Sequence, residues 1–301
     1  MKVVTHSGRF HADEVFAIAV LRVVHGDFEL SRTRDEQAIA ESDIQVDIGG
    51  RDNAATGAYD HHQRGGAGKR RTGIPYASFG LVWKRYGSEL CGSAAAAAKI
   101  DRILVQPIDA ADNGYRLTKS LAAGVEPFTV SRLIASLNPL WDEDLDPAVQ
   151  DRRFEVAVSL ADQIIGRQVA VVAAEERAVP LLRAAINASP DPRIVELGQR
   201  LPWRPMISSA APDALFVVCP YPDRWGVHAV PSRPGSFARR LDLPAAWAGL
   251  SGAELAEVSG VADAIFCHRG RHFASAGGRA GALALAGKAV EAAPSEVDRH
   301  G

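Results

Sequence analysis

A chain of 301 residues, 47% hydrophobic and 23% charged, can bury a sizeable core without disulfide staples. Its formal net charge of −2 excludes a whole-molecule polyanion binder, so any nucleic acid has to be met by a local basic patch or by bound metal. Three widely spaced cysteines, Cys91, Cys219 and Cys267, form no C-x-x-C pair, which argues against a thiolate zinc site and suits a reducing, cytoplasmic setting. Residues 1–6 lack the apolar stretch of a signal peptide, and no stretch is expected to reach the length of a membrane span.

In chain order, Val3-Val4-Thr5 reads as a short buried strand ending at His6. Asp13 to Val24 follows as a helix whose apolar residues, among them Val15, Phe16, Ile18 and Leu21, cover most of its circumference and predict burial. Phe28 to Thr33 predicts a second strand, Asp35 to Glu41 a second helix, and Ile44 to Ile48 a third strand stopped by Gly49-Gly50. Strands alternating with helices predict an α/β domain with a parallel sheet and flanking helices. Ligands of such sheets gather at the carboxyl ends of the strands, where His6 and Asp47 both fall.

A glycine-rich basic loop over 64–73 leads to helices at about 76–87 and 93–105. Phe79, Trp83 and Tyr86 sit there at helical spacing and read as core. A long helix from Pro147 to Val179 reads as a connector, followed by proline punctuation at 190, 192, 202, 205 and 212. Strands over 215–219, 225–230, 264–267 and 272–275, with a closing helix over 278–293, predict a smaller C-terminal α+β domain. The expected domains are therefore 1–190, including the connector, and 191–301.

The chemistry concentrates near the start. Four of nine histidines, His6, His11, His61 and His62, lie within the first 62 residues, interleaved with Asp13, Asp47 and Asp60. Imidazole and carboxylate donors brought together from strand ends and helix starts suit Mn²⁺, Fe²⁺, Co²⁺ or Zn²⁺ better than Ca²⁺. The set exceeds what one ion needs, so two cations sharing a carboxylate are expected. Such a pair acidifies water and clamps the oxygens of a phosphoryl displacement.

Four ordered segments carry a resemblance: Thr5-His6-Ser7-Gly8-Arg9-Phe10-His11-Ala12-Asp13-Glu14, Val46-Asp47-Ile48-Gly49-Gly50, Tyr59-Asp60-His61-His62-Gln63, and Asp109-Ala110-Ala111-Asp112-Asn113-Gly114. They resemble the successive motifs of the DHH phosphoesterase superfamily. With 243–250 and 266–271, the match is finer to its MYG branch, the melanocyte proliferating gene family. The resemblance implies a DHH-type catalytic domain, a substrate-binding C-terminal domain and two Mn²⁺ ions. Carried over, His6 and His11 would hold the first metal, Asp13, His61 and Asp112 the second, and Asp47 would bridge. Catalytic roles fall to Asp47 and His62, the latter on the substrate phosphate. The broader superfamily opens His-x-x-x-Asp-x-Asp, whereas here His11 stands where the first Asp usually does, making the first site less anionic. Of the neighbouring carboxylates Asp109 and Asp112, the resemblance favours Asp112.

Asp60, Arg64 and Arg70 near the basic loop, and His268, Arg269, Arg271, Gly277 and Gly278 in the tail, are the substrate-binding candidates, since arginine forks and glycine-exposed N–H groups suit phosphate. Glu14 reads as a first-turn residue favoured by the helix dipole, and His25, His228 and His300 as structural or surface residues. The resemblance implies 3′→5′ exonuclease action on RNA or short oligonucleotides. The alternatives are a phosphohydrolase of small metabolites such as pyrophosphate, nucleotides or cyclic dinucleotides, and a non-catalytic metal-binding regulator. Net charge near zero is compatible with a homodimer.

Overall fold

The computed structural model describes residues 1–143 and 146–292; position 293 of the expected closing helix and His300 lie outside them. The chain divides into two compact units, Met1–Ala173 and the remainder from Ala174.

In the first unit, β1 (Lys2–Thr5), α1 (Ala12–His25), β2 (Glu29–Arg32), α2 (Glu36–Ala40), β3 (Ile44–Val46), β4 (Asp52–Asn53) and β5 (Ala58–Tyr59) follow in sequence. The sheet order is β2-β1-β3-β5-β4, with β1, β2, β3 and β5 parallel and β4 antiparallel at one edge. This is the expected α/β class. The two shortest strands escaped the sequence reading because two residues carry no periodicity. Gly57 permits the close approach of β5 to β3: its φ is +70°, and a Cβ there would meet the Asp43 carbonyl oxygen at 2.2 Å.

The all-round apolar α1 is buried as its pattern requires: Val15 to Leu21 are each fully covered, and α3 (Ser78–Cys91) packs on it through Phe79, Val82 and Trp83. The helix expected at 93–105 runs further. α4 (Ala94–Ile100) continues through a π-helical segment, Asp101–Val105, into α5 (Gln106–Asp112). Pro107 has no N–H to donate and crowds the preceding turn; the widened segment before it accommodates that defect. α6 (Val130–Ala135) completes the unit before the long α7 (Pro147–Ala188).

α7 corrects one expectation. It contains an 18-residue window of mean hydropathy 1.4 that is only 28% buried, so by length and composition alone it is long and apolar enough to cross a membrane. Its Phe154, Ala157, Val158, Ala161 and Ile165 pack into the first unit's core. Its last turns, through Leu182, Ala185 and Ile186, pack with Val195 and Trp203 of the second unit. The units therefore divide inside this helix, while the expected division at 190/191 falls just after it.

The second unit contains β6 (Ile194–Glu196), α8 (Arg204–Ala210), β7 (Phe216–Pro220), β8 (Trp225–Ala229), α9 (Gly252–Ser259), β9 (Ala264–Cys267), β10 (Phe273–Ala276) and α10 (Arg279–Glu291). Its sheet order is β6-β7-β8-β10-β9, antiparallel except for β6 with β7. Alternation decides the two faces. Phe216, Val218, Val227, Ala229 and Ala274 face the α10 core, and Val217, Cys219 and Val230 face the α8 core.

Candidate metal centre

Three parallel strands deliver the site from their carboxyl ends. His6 follows β1, Asp47 follows β3 and Asp60-His61-His62 follow β5. The N-terminus of α1 adds His11, Asp13 and Glu14, and the last turn of α5 adds Asp112. These residues gather at an open basin of about 620 Å³ lined in part by His6, His11, Asp47, Asp60 and His62.

Asp47 stands at the centre. His6 Nε2 lies 3.3 Å from its Oδ2, while His61 Nε2 and His62 Nδ1 lie 3.3 and 3.4 Å from its Oδ1. Ser78 Oγ donates to that same oxygen at 2.8 Å, and Ser78 N–H donates to Asp13 Oδ2 at 3.3 Å. Asp47 also adopts a φ of +57°, a left-handed conformation costing on the order of 1 kcal/mol for a residue with a side chain. Gly49 and Gly50, at φ +94° and +64°, continue the sharp turn, and the Gly50 N–H reaches Asp60 Oδ2 at 2.6 Å.

Around this centre, His61 Nε2 is 3.1 Å from Asp112 Oδ2 and 3.8 Å from Asp13 Oδ2. His11 Nδ1 is 3.9 Å from Asp112 Oδ1. Glu14 is fully buried; its Oε1 accepts from the His11 backbone N–H at 2.8 Å and lies 3.2 Å from His6 Nε2. Three donor groups are each compact enough for one cation: His6, His11, Glu14 and Asp47; Asp47, His61 and His62; and His11, Asp13 and Asp112. Asp47 and His11 each belong to two of them.

The electrostatics fit a cation. Asp13 is wholly buried, and that burial, with the Asp47, Glu14 and Asp112 charges around it, pushes its carboxyl well above the usual range. Burial alone would depress His6 and His61. The Asp47 and Glu14 carboxylates beside His6, and Asp112 and Asp47 beside His61, outweigh it and raise both imidazoles to about 10. Burial pushes the Asp47 carboxyl up, but His6, His61 and Ser78 hold it below the usual carboxylate range. Carboxylates that hold protons on two buried imidazoles would hold divalent metal in their place. Among the donor residues of this site, three buried atoms lack a hydrogen-bond partner: Asp13 Oδ1, Glu14 Oε2 and His61 Nε2, the last close to three carboxylates yet aligned with none. An orphaned carboxylate oxygen is costly unless something cationic meets it. The mixed N/O donors present thus fit a hard or borderline divalent ion.

The structure separates the neighbouring aspartates. Asp112 faces the imidazoles, whereas Asp109 turns away, accepts from Gly80 N–H at 3.0 Å and pairs with Arg70 at 2.7 Å. Arg70 is therefore a correction to its expected phosphate role. Its side chain is 6% exposed, is consumed by Asp101 and Asp109, and stacks over Tyr76. Asp60 is buried, and its oxygens hold the His62 ring at 2.9 Å and Gly50 N–H at 2.6 Å, so it orients His62 from the wall of the basin. Arg64 is exposed in the glycine-rich loop and does not line the basin.

In the second unit Gly277 and Gly278 are corrected as well. Their N–H groups donate to the Asp263 carbonyl and carboxylate, both at 2.8 Å, so an internal anion already fills the start of α10. Arg271 pairs with Asp242 at 3.0 Å, Arg269 is exposed, and the His268 and His272 rings lie 4.1 Å apart between centroids, tilted at 51°.

Four site residues were missed by the sequence reading. Glu14 was taken for a dipole residue, although its place beside Asp13 was a signal. Arg9 and Arg34 line the basin; Arg34 follows β2, so the strand-end rule that marks His6 and Asp47 covers it too. Ser78 lies 31 residues from the carboxylate it holds and had no local signal.

A family model for MYG1 exonucleases, described as an uncharacterised protein family (UPF0160), matches residues 2–290. The MYG1 exonuclease of Homo sapiens is 31% identical over 319 residues, spanning 94% of this chain and 84% of that protein. A MYG1 protein of Caenorhabditis elegans is 31% identical over 324 residues, spanning 95% and 94%. Among solved structures, PggH, a pGpG-specific phosphodiesterase of Vibrio, matches at a TM-score of 0.33 and 12% identity over 91% of this chain and 92% of that one, a likeness too loose to carry an argument.

Proposed function

The chain belongs to the MYG1 exonuclease family (UPF0160), and from that premise we propose that it is a metal-dependent phosphoesterase that cleaves phosphodiester bonds. More finely, we read it as a 3′→5′ exonuclease on RNA or short oligonucleotides that uses two divalent cations, Mn²⁺ by preference. The single observation that carries this reading is Asp47, which belongs to two adjacent cation-sized donor groups within one open basin. A carboxylate placed so is suited to bridge.

When bound, such cations supply Lewis acidity to a phosphoryl oxygen and lower the pKa of water. The ligand set in this reading is His6, His11, Asp13, Asp47, His61 and Asp112, with Glu14 added. The protein's own groups do the rest. Asp60 accepts from His62 Nδ1–H, fixing the ring and leaving Nε2 for the substrate phosphate. Arg9 and Arg34, on the wall of the basin, meet the charge that develops on phosphorus oxygens. Ser78 keeps Asp47 and Asp13 in register. Arg64 and Arg269 remain available for more distant phosphates. The cysteines form no disulfide, in keeping with the reducing cytoplasm we assign.

The test is hydrolysis of an end-labelled RNA ladder with Mn²⁺ by the full chain and by Asp47→Asn. Stepwise shortening from the 3′ end is expected, with the variant slower by at least about a hundredfold. Equal cleavage by both proteins overturns the assignment. Inert RNA, with phosphate released from pyrophosphate, replaces it with the small-molecule reading.

A further inference from the structure

Just after α6 the chain is tied to the loop that carries the first site residues. Asn138 is 4% exposed. Its Oδ1 accepts from Phe10 N–H at 2.9 Å and its Nδ2 donates to the Phe10 carbonyl at 2.8 Å, so one side chain satisfies both polar groups of that residue's backbone. Arg9 and His11, the neighbours of Phe10, are thereby fixed relative to the segment that follows Asn138. That segment turns at once. Glu143 N–H donates to the Leu140 carbonyl at 3.2 Å, Leu140 N–H donates to Glu143 Oε2 at 2.8 Å, and Arg153 on α7 holds the other carboxylate oxygen at 2.7 Å. Trp141 stands inside this doubly closed turn.

The turn is held while the ring is left in water. The indole is 91% exposed, and among the described residues no ring or cation stacks on it. Tryptophan is well buried on average, and one presented to solvent by a fixed turn suits a flat partner. Beside it lies a hollow of about 220 Å³ lined by Arg9, Asn138, Pro139, Leu140, Trp141 and Gln150. Arg9 lines the metal basin too, so the two hollows share a wall. The small one is apolar along Pro139, Leu140 and Trp141 and cationic at its Arg9 edge. A nucleotide has the same polarity, a flat base at one end and an anionic phosphate at the other. A bare phosphate would gain nothing from the indole.

We propose that Trp141 is a stacking platform for a nucleobase of the oligonucleotide, joined through Arg9 to the phosphate at the metal centre. This deepens the phosphodiesterase reading and rests on it for the choice of a nucleic acid as ligand. Leu140, 59% exposed, extends the apolar floor. Every base has a π-face, so the platform accepts any sequence and favours purines, whose larger rings cover more of the indole. It is a contact that carries no charge, unlike those to phosphate.

The experiment is binding with hydrolysis slowed. The full chain with Mn²⁺ is titrated across a range of KCl with a fluorescein-labelled five-nucleotide RNA whose linkages are phosphorothioates, and with the same backbone carrying abasic riboses. The proteins are wild type, Trp141→Ala, Trp141→Phe, and Leu121→Ala as an equally exposed apolar control. Trp141→Ala should bind the RNA about tenfold more weakly with an unchanged salt slope, because a stack is lost and no phosphate contact is. Trp141→Phe and the control should stay within about threefold of wild type, and the abasic strand should not distinguish Trp141→Ala from wild type. In a second arm, RNA should quench tryptophan fluorescence in wild type and leave Trp141→Phe unquenched, since Trp83, Trp203 and Trp247 are each 4% exposed and Trp225 is half-buried. Wild-type affinity in Trp141→Ala overturns the platform. An equal loss on the abasic strand, or a flatter salt slope, overturns the base as its ligand. Neither result touches the Asp47→Asn comparison, so failure here is distinguishable from failure of the hydrolytic reading.

Discussion

Asp47 illustrates how a residue buys chemistry with local strain. It sits at a positive φ, surrounded by His6, His61 and His62, and the Ser78 hydroxyl holds it from the helix side. A serine that touches a ligand without being one acts through geometry. Ser78→Ala should lower kcat about tenfold while leaving KM for a short RNA within about twofold, because it loosens a group needed at the reacting centre and leaves the phosphate contacts alone. A matched loss in both constants, or no loss, would show that Asp47 needs no such support. Arg70 teaches the converse. Its sequence setting among glycines advertised a phosphate grip, but two aspartates 31 and 39 residues onward capture it. Charge in a sequence states an appetite and leaves the partner open.

Elements matter here by where they end. The strand-end rule places His6, Asp47 and the Asp60 triplet together because β1, β3 and β5 run parallel and stop in line. The π-helical segment before Pro107 lets the helix run on through Asp109 and Asp112, and their positions three residues apart point one carboxylate to Arg70 and the other to the imidazoles. In the second unit, β8, β10 and α8 bury His228 against Arg204, Tyr221, Phe273 and Trp203, with His272 and Arg200 nearby. The folded imidazole titrates at about 4, below its ordinary 6.5, so the unfolded chain binds the extra proton between those values. Its contribution to stability is full above about pH 6.5 and is lost as pH falls toward about 4, up to about 3 kcal/mol over that window. Urea midpoints at pH 7 and pH 5 should therefore differ less for His228→Gln than for wild type. An identical pH response in both proteins would remove His228 as the cause.

For the molecule as a whole, the first unit buries carboxylates faster than it supplies cations to meet them. Asp13, Glu14 and Asp47 are nearly inaccessible, and oxygens of the first two lack partners. A ligand that binds the folded state alone adds RT ln(1 + [L]/Kd) to stability. Mn²⁺ at a hundred times its Kd should thus raise the melting temperature of the EDTA-treated protein by roughly 5–10 °C, the range expected for about 2.7 kcal/mol in a unit of this size. Asp47→Asn should blunt the rise, and an unchanged melting curve in wild type would mean that the basin holds no such ion.

The sequence by itself determined the α/β class, the strand-helix alternation, a smaller α+β tail and the crowding of imidazoles and carboxylates, Glu14 apart, at strand ends and helix starts. Hydrophobic period and residue chemistry are local properties, readable within a few turns or strands. The tertiary structure decided which donors share a centre, that Asp112 faces it while Asp109 and Arg70 neutralise each other, that Asp263 stops the Gly277-Gly278 turn, and that Ser78, Arg9 and Arg34 border the basin. Those outcomes depend on distances between residues tens of positions apart, set by sheet register and helix packing, and no local pattern encodes them.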